Sequence, residues 1–191
     1  MARPILIKAA NTLKPYRQGQ LDSLCGLYAT VNALCLAAAQ QTPLTTRHEN
    51  LLADTGFAFL ERKKKMHRAV TEGMGDVLRV KLAKHLITHA NTHLSQTWQM
   101  RELGIMPDNY VQTIENEIIA QRPVCITLNG AMDHFTVICG FSQTQYHLFD
   151  SYGLHWIYRT SCNLAAKGPP LARYRIIARS VFSVGVRDGF H

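Results

Sequence analysis

No run of about eighteen consecutive apolar residues occurs in the sequence, which excludes an ordinary membrane-spanning helix. The short apolar stretch Ile5-Leu6-Ile7 is cut off by Lys8, too early for the hydrophobic segment of a secretory signal. Cysteine is sparse and odd in number, five in all, and without an export signal a disulfide framework is not expected. The expectation is free thiols in a reducing cytoplasm, with delivery by a dedicated secretion machine left open. Zinc-finger spacing, an RNA-recognition aromatic signature and a Walker-type glycine loop are all missing, and no cofactor motif takes their place. Acidic residues are few, 13 against 21 Lys and Arg, for a formal charge of +8.

What is present is enough for one folded unit. A chain of 191 residues that is 47% hydrophobic buries roughly 70% of its unfolded surface and needs no metal or disulfide to fold. The positive charge predicts attraction to acidic surfaces, with an acidic protein or peptide substrate and nucleic acid both among the partners it would suit. It is spread over two regions. One is Arg62-Lys63-Lys64-Lys65 with His67 and Arg68; the other covers Arg159, Lys167, Arg173, Arg175, Arg179 and Arg187. Arg173 and Arg175 alternate with Tyr174 and Ile176, as on the solvent face of a strand. Solvated faces are the expected reading, with nucleic acid the secondary one.

Helical periodicity dominates the first 121 residues. Leu24, Leu27, Tyr28, Val31, Leu34 and Cys35 predict a buried helix from Ser23 to Gln40, with Asp22 or Ser23 at the N-cap position. Further helices are predicted over 47–62, 75–89 and 110–121, the last opened by Pro107-Asp108-Asn109. From Pro123 the period becomes extended: VCITLNG, HFTVICGF and QYHLFD, then LHWIYR and ARYRIIARSVFSVGV. The expected fold is α+β in a single domain over 1–191, a helical half (about 1–121) packed on a mostly antiparallel sheet (about 122–191). The Lys-rich run and Gly168-Pro169-Pro170 are expected to be exposed loops.

The cysteines are not equivalent. Cys35, Cys125 and Cys139 sit in apolar segments and read as core. Cys162 falls in a polar segment and is expected near the surface. Cys25 lies in the first turn of a predicted helix, where unpaired N–H groups and the helix dipole favour a thiolate. Gly26 beside it would leave room for a substrate backbone. A thiolate nucleophile needs a base and a group to orient that base. Among nine histidines, His134 opens the strand HFTVICGF just after the turn NGAMD. The next strand ends at Asp150, sixteen positions on. Two neighbouring antiparallel strands would place His134 and Asp150 at one end of the sheet, where the carboxylate can fix the imidazole tautomer. Gln20 or Gln18, in the loop ahead of the helix, could supply a side-chain amide to an oxyanion. His85, His89 and His93 are spaced four apart, but no glutamate accompanies His85 and Asn91-Thr92 is expected to end the helix before His93, so a metal is not expected.

The order glutamine, cysteine at a helix start, histidine at a strand start, then aspartate resembles the papain-like cysteine peptidase superfamily. HFTVICGF followed by LFDSYG resembles the double-glycine leader peptidases of bacteriocin exporters, which raises a bacterial origin. QLDSLCGLYA resembles Josephin-type deubiquitinases, with the glutamine five residues before the cysteine. Most papain-like families place it six before, where this chain has Gly19. The resemblance implies a papain-like fold, with Cys25 as nucleophile, His134 as general base and acid, Asp150 as orienting carboxylate and Gln20 as oxyanion donor.

An activated thiol with an oxyanion hole and no cofactor implies acyl transfer from a carbonyl compound. Three functions fit: a peptidase or isopeptidase acting on a protein or peptide, a glutamine deamidase or transglutaminase on the same triad, and a non-catalytic basic binding module.

Overall fold

The computed structural model describes residues 3–164 and 172–187. Lys167 and the Gly168-Pro169-Pro170 turn lie outside that range. A two-residue strand β1 (Ile5–Leu6) and a 3-10 turn precede the first long helix, α1 (Cys25–Ala38). Then come α2 (Thr46–Arg62), a short α3 (Met66–Thr71), α4 (Asp76–His93), β2 (Thr97–Glu102) and α5 (Tyr110–Ile119). The remainder is strand: β3 (Val124–Gly130), β4 (His134–Phe141), β5 (Gln145–Leu148), β6 (Trp156–Tyr158), β7 (Cys162–Asn163), β8 (Tyr174–Ile176) and β9 (Phe182–Arg187).

The strands form one nine-stranded sheet whose main path runs β2-β9-β3-β4-β5-β6. Every pairing is antiparallel except β7 with β8. The fold is therefore α+β, with the helices gathered in the first part of the chain. The exception is β2, which sequence periodicity placed in the helical half and which pairs with β9 from Thr97↔Arg187 to Glu102↔Phe182. Its sequence, TWQMRE, buries one large side chain, Trp98, too little contrast for an alternating pattern to stand out.

Two elements set the frame of the molecule. α1 is alanine-rich and buried at every position except Tyr28, because it runs through the centre and packs on β4 and β9. β4 is buried along its whole length, flanked by β3 and β5 and paired at its end with β1. Small residues let a helix approach a sheet closely, and here the alanines of α1 do so against the most enclosed strand.

Three sequence-based expectations need correction. α4 does not stop at Asn91 but continues to His93, because Asn91 turns inward: its side chain accepts from the Trp98 N–H at 2.6 Å and donates to the Trp98 carbonyl at 3.0 Å. The Lys-rich run is exposed, as expected, but leads straight into the extra helix α3. Cys162 is buried rather than near the surface, within reach of the Tyr158 carbonyl.

Candidate active site

α1 begins at Cys25 without a side-chain cap; Leu24 occupies the N-cap position. Asp22 caps the preceding loop instead, its carboxylate accepting from the Gly19 N–H at 2.6 Å and the Leu24 N–H at 3.0 Å. The first N–H groups of a helix have no intrahelical acceptor, so those of Cys25 and Gly26 are not consumed by a side-chain cap. The loop ahead of α1 is held from inside the helix: buried Asn32 accepts from the Tyr16 N–H at 2.8 Å and donates to the Tyr16 carbonyl at 3.2 Å. Asn32 is a supporting residue that helical spacing could not single out, since its role depends on a partner sixteen residues earlier.

His134 is the first residue of β4, opposite Leu128 of β3. β5 pairs with β4 through a register shift between Ile138 and Gly140, and Phe149 continues the pairing with a bond from its N–H to the Val137 carbonyl. That carries Asp150 to the His134 end of the sheet. His134 Nε2 donates to Asp150 Oδ1 at 2.6 Å, and Oδ2 accepts the N–H groups of Tyr152, Gly153 and Leu154 at 2.8, 2.8 and 3.0 Å. Both carboxylate oxygens are thus fully used. The Tyr152 ring stands edge-on to the imidazole, centroids 6.0 Å apart.

Burial by itself would depress the His134 pKa, but the hydrogen bond to Asp150 and the nearness of Asp150 and Cys25 push it up to about 9. Burial acts on Asp150 in the opposite sense, raising its pKa; the His134 contacts and the turn N–H groups outweigh it and hold the carboxyl below its ordinary value. With Nε2 committed to Asp150, Nδ1 is the imidazole nitrogen left for other proton transfer.

Cys25 and His134 open on a cleft of about 720 Å³. One wall is the start of α1, the second is the β3–β4 end of the sheet, and the third is the connection from α3 into α4 (72–78). The α3 helix that leads into it is held near Cys25 by the Ser23 N–H, which donates to the Val70 carbonyl at 2.8 Å. Gly26 does not leave space for a substrate, as its position had suggested. A Cβ there would lie 2.7 Å from Met74 Sδ and 3.1 Å from Phe135 Cδ2, so the absent side chain makes room for the cleft's own wall.

The two glutamines part company. Gln20 is exposed in a turn. Gln18 is half-buried and docked on the residue after Asp150: its N–H donates to the Ser151 carbonyl at 3.1 Å, and its Oε1 accepts from Ser151 Oγ at 3.2 Å.

Arg79 was not a sequence candidate. It is fully buried between Phe135 and Phe182, 4.4 and 4.9 Å from their centroids, and donates to Thr127 Oγ1 and the Ser180 carbonyl. Its Nε and Nη1 have no partner among the described residues. Arginine on an amphipathic helix normally signals solvent, so no sequence pattern would have put it under the site.

The histidines of α4 do not join this centre. His85 stacks on Phe59, while His89 and His93 lie 4.2 Å apart in a separate cavity. Among the described residues, no group of three or more His, Cys, Asp or Glu side chains is placed to hold a metal.

No family model matches the chain, and no curated protein matches it. Among solved structures, a candidate C39-like peptidase from Bacillus anthracis is similar over 98% of this chain and 100% of its own, with a TM-score of 0.51 at 12% identity. At that identity the likeness speaks for the fold alone: the α+β arrangement described above is shared with that C39-like peptidase.

Proposed function

We propose that the chain is a cysteine-dependent hydrolase that cleaves a peptide or isopeptide bond in a protein substrate through an acyl-enzyme. The observation that carries this reading is the Asp150–His134 hydrogen bond at the cleft that His134 lines together with Cys25. In the forward step the Cys25 thiolate adds to the substrate carbonyl carbon. The resulting oxyanion is received by the uncapped N–H of Cys25 and by a glutamine amide. Gln18 fits that role better than Gln20, because Ser151 already engages its carbonyl oxygen and leaves its NH2 to donate. His134 then passes its Nδ1 proton to the leaving amine, the C–N bond breaks and a thioester remains. Water, deprotonated by the same nitrogen, hydrolyses the thioester and restores the thiol.

The test is alkylation of each cysteine by iodoacetamide, resolved by mass spectrometry from pH 5 to 9, in the wild type and in His134→Ala. An ion-paired thiolate reacts at pH 6, where an ordinary thiol is slow. Selective fast labelling of Cys25 that depends on His134 supports the reading, and uniform slow labelling of all five thiols sinks it. With a protein substrate in hand, cleavage distinguishes this reaction from deamidation, which leaves the chain intact and adds about one mass unit.

A further inference from the structure

The end of α2 carries a turn that costs stability and displays charge. The Lys65 N–H bonds the Leu60 carbonyl at 2.9 Å and the Lys64 N–H bonds the Glu61 carbonyl at 2.7 Å, the paired bonds of a Schellman motif. Lys64 has φ 55°, the left-handed position that glycine fills at least strain. Lys63, Lys64 and Lys65 are all exposed. Lys65 also lines the cleft at Cys25, as do Arg68 and Lys81. Arg68 is neutralised by Glu72 at 2.9 Å. Among the described residues, Lys63, Lys64, Lys65 and Lys81 form no ion pair.

We propose that the lysines at 63, 64, 65 and 81 form a ridge that docks an acidic segment of the protein substrate and leads it into the cleft at Cys25. The proposal rests on the hydrolase reading and names the substrate class of the same site. Helix-end lysines also complement the macrodipole, but that role needs neither a strained lysine at position 64 nor Lys81, which belongs to another helix. Lys65 and Lys81 line the cleft together with Cys25. Of the acidic residues in its wall, Glu72 is paired with Arg68 and Asp76 with Arg179, while Asp133 also lines it. The occupant of the ridge is therefore the polymer that presents the scissile carbonyl. A single-stranded nucleic acid would call for aromatic faces interleaved with the charge, and residues 63–81 contain no Phe, Tyr or Trp; exposed Tyr152 stands beside His134 instead.

The experiment is fluorescence anisotropy on the full chain, with two fluorescein-labelled peptides of alternating Ala and Glu or Ala and Gln. A poly-dT oligonucleotide serves as the third probe. The ridge predicts tight binding of the Glu peptide that weakens at least tenfold between 50 and 300 mM salt. It predicts a similar loss in K65Q/K81Q at low salt. K64G separates function from folding: it should raise the melting temperature by about 2–3 °C, through relief of the strained position, while weakening the Glu peptide several-fold. Equal affinity for the Glu and Gln peptides, tighter binding of poly-dT, or K64G and K65Q/K81Q that bind as the wild type does would overturn the proposal. Cys25 alkylation is scored separately. A slow Cys25 beside a salt-sensitive Glu-peptide complex removes the hydrolase and keeps the ridge, and a fast Cys25 with no preference for the Glu peptide does the reverse.

Discussion

Asp150 grips His134 through Nε2, and the other oxygen of the same carboxylate gathers three consecutive backbone N–H groups. Orientation of the imidazole and shape of the following turn are therefore one device. Asp150→Asn tests it, because the new amide can face only one set of donors with its oxygen. Whichever way it turns, its NH2 meets either His134 Nε2–H or the three backbone N–H groups. Activity on a cleavable peptide should fall about 10²–10⁴-fold, accompanied by a measurable drop in melting temperature. An unchanged melting temperature would separate the turn from the triad.

Stability should depend on pH on both sides of neutrality. The His134 pKa is raised in the folded state to about 9, from an unfolded value of about 6.5. Its contribution is complete below about pH 6.5 and is lost as the pH rises through about 9. Asp150 is shifted down, so its contribution is present above about pH 4 and is lost as the pH falls through the folded value. Urea unfolding at a series of pH values should show both limbs, and His134→Gln should flatten the alkaline one. A wild type with no slope between pH 6.5 and 9 would contradict the pairing.

Gly26→Ala should damage the site without unfolding the chain. Met74 is flexible and can yield to the new Cβ, but Phe135 adjoins His134 and is stacked on Arg79. Overpacking of this kind costs about 1–3 kcal/mol. The expected result is a native-like circular dichroism spectrum with at least tenfold slower alkylation of Cys25 at pH 6. Alkylation at the wild-type rate would show that Phe135 accommodates the methyl group.

Gln18→Ala and Gln20→Ala should differ. If Gln18 donates to the oxyanion, its removal lowers kcat about 10²–10³-fold with little change in KM, while Gln20→Ala stays within twofold of wild type. Steady-state kinetics on one cleavable peptide decides the matter, and the opposite ranking would return the role to Gln20.

Arg79 offers a test of buried charge. Arg79→Met fills much of the gap between Phe135 and Phe182 but strips donors from Thr127 and the Ser180 carbonyl, at about 1–2 kcal/mol. Arg79→Ala adds a cavity and should cost at least twice that. Equal melting temperatures for the two variants would mean that the site collapses around alanine.

Much of this architecture was legible because it is local. The alanine-rich run that opens at Cys25, the change of period at Pro123, and the sixteen residues from His134 to Asp150 each declare themselves within a short window. What stayed hidden depends on partners far along the chain. β2 is a strand because residues 182–187 return to pair with it, and α4 outlasts Asn91 because that side chain finds Trp98. Gln18 and Gln20 could not be ranked from spacing, since the contact that separates them is with Ser151, 133 positions away from Gln18. Gly26 shows the limit of reading a glycine as open space, since Met74 and Phe135 fill that space from outside the motif.

Cys25 and His134 open α1 and β4, the elements with almost no exposed positions. Amide hydrogens in such segments exchange with solvent only when the whole fold opens, whereas those in exposed turns exchange by local fraying. The placement of Cys25 and His134 at the cleft should therefore persist through partial openings of the molecule. Thermal inactivation and global unfolding should share one midpoint, while the cleft wall supplied by residues 72–78 can loosen on a faster timescale and leave the pair intact.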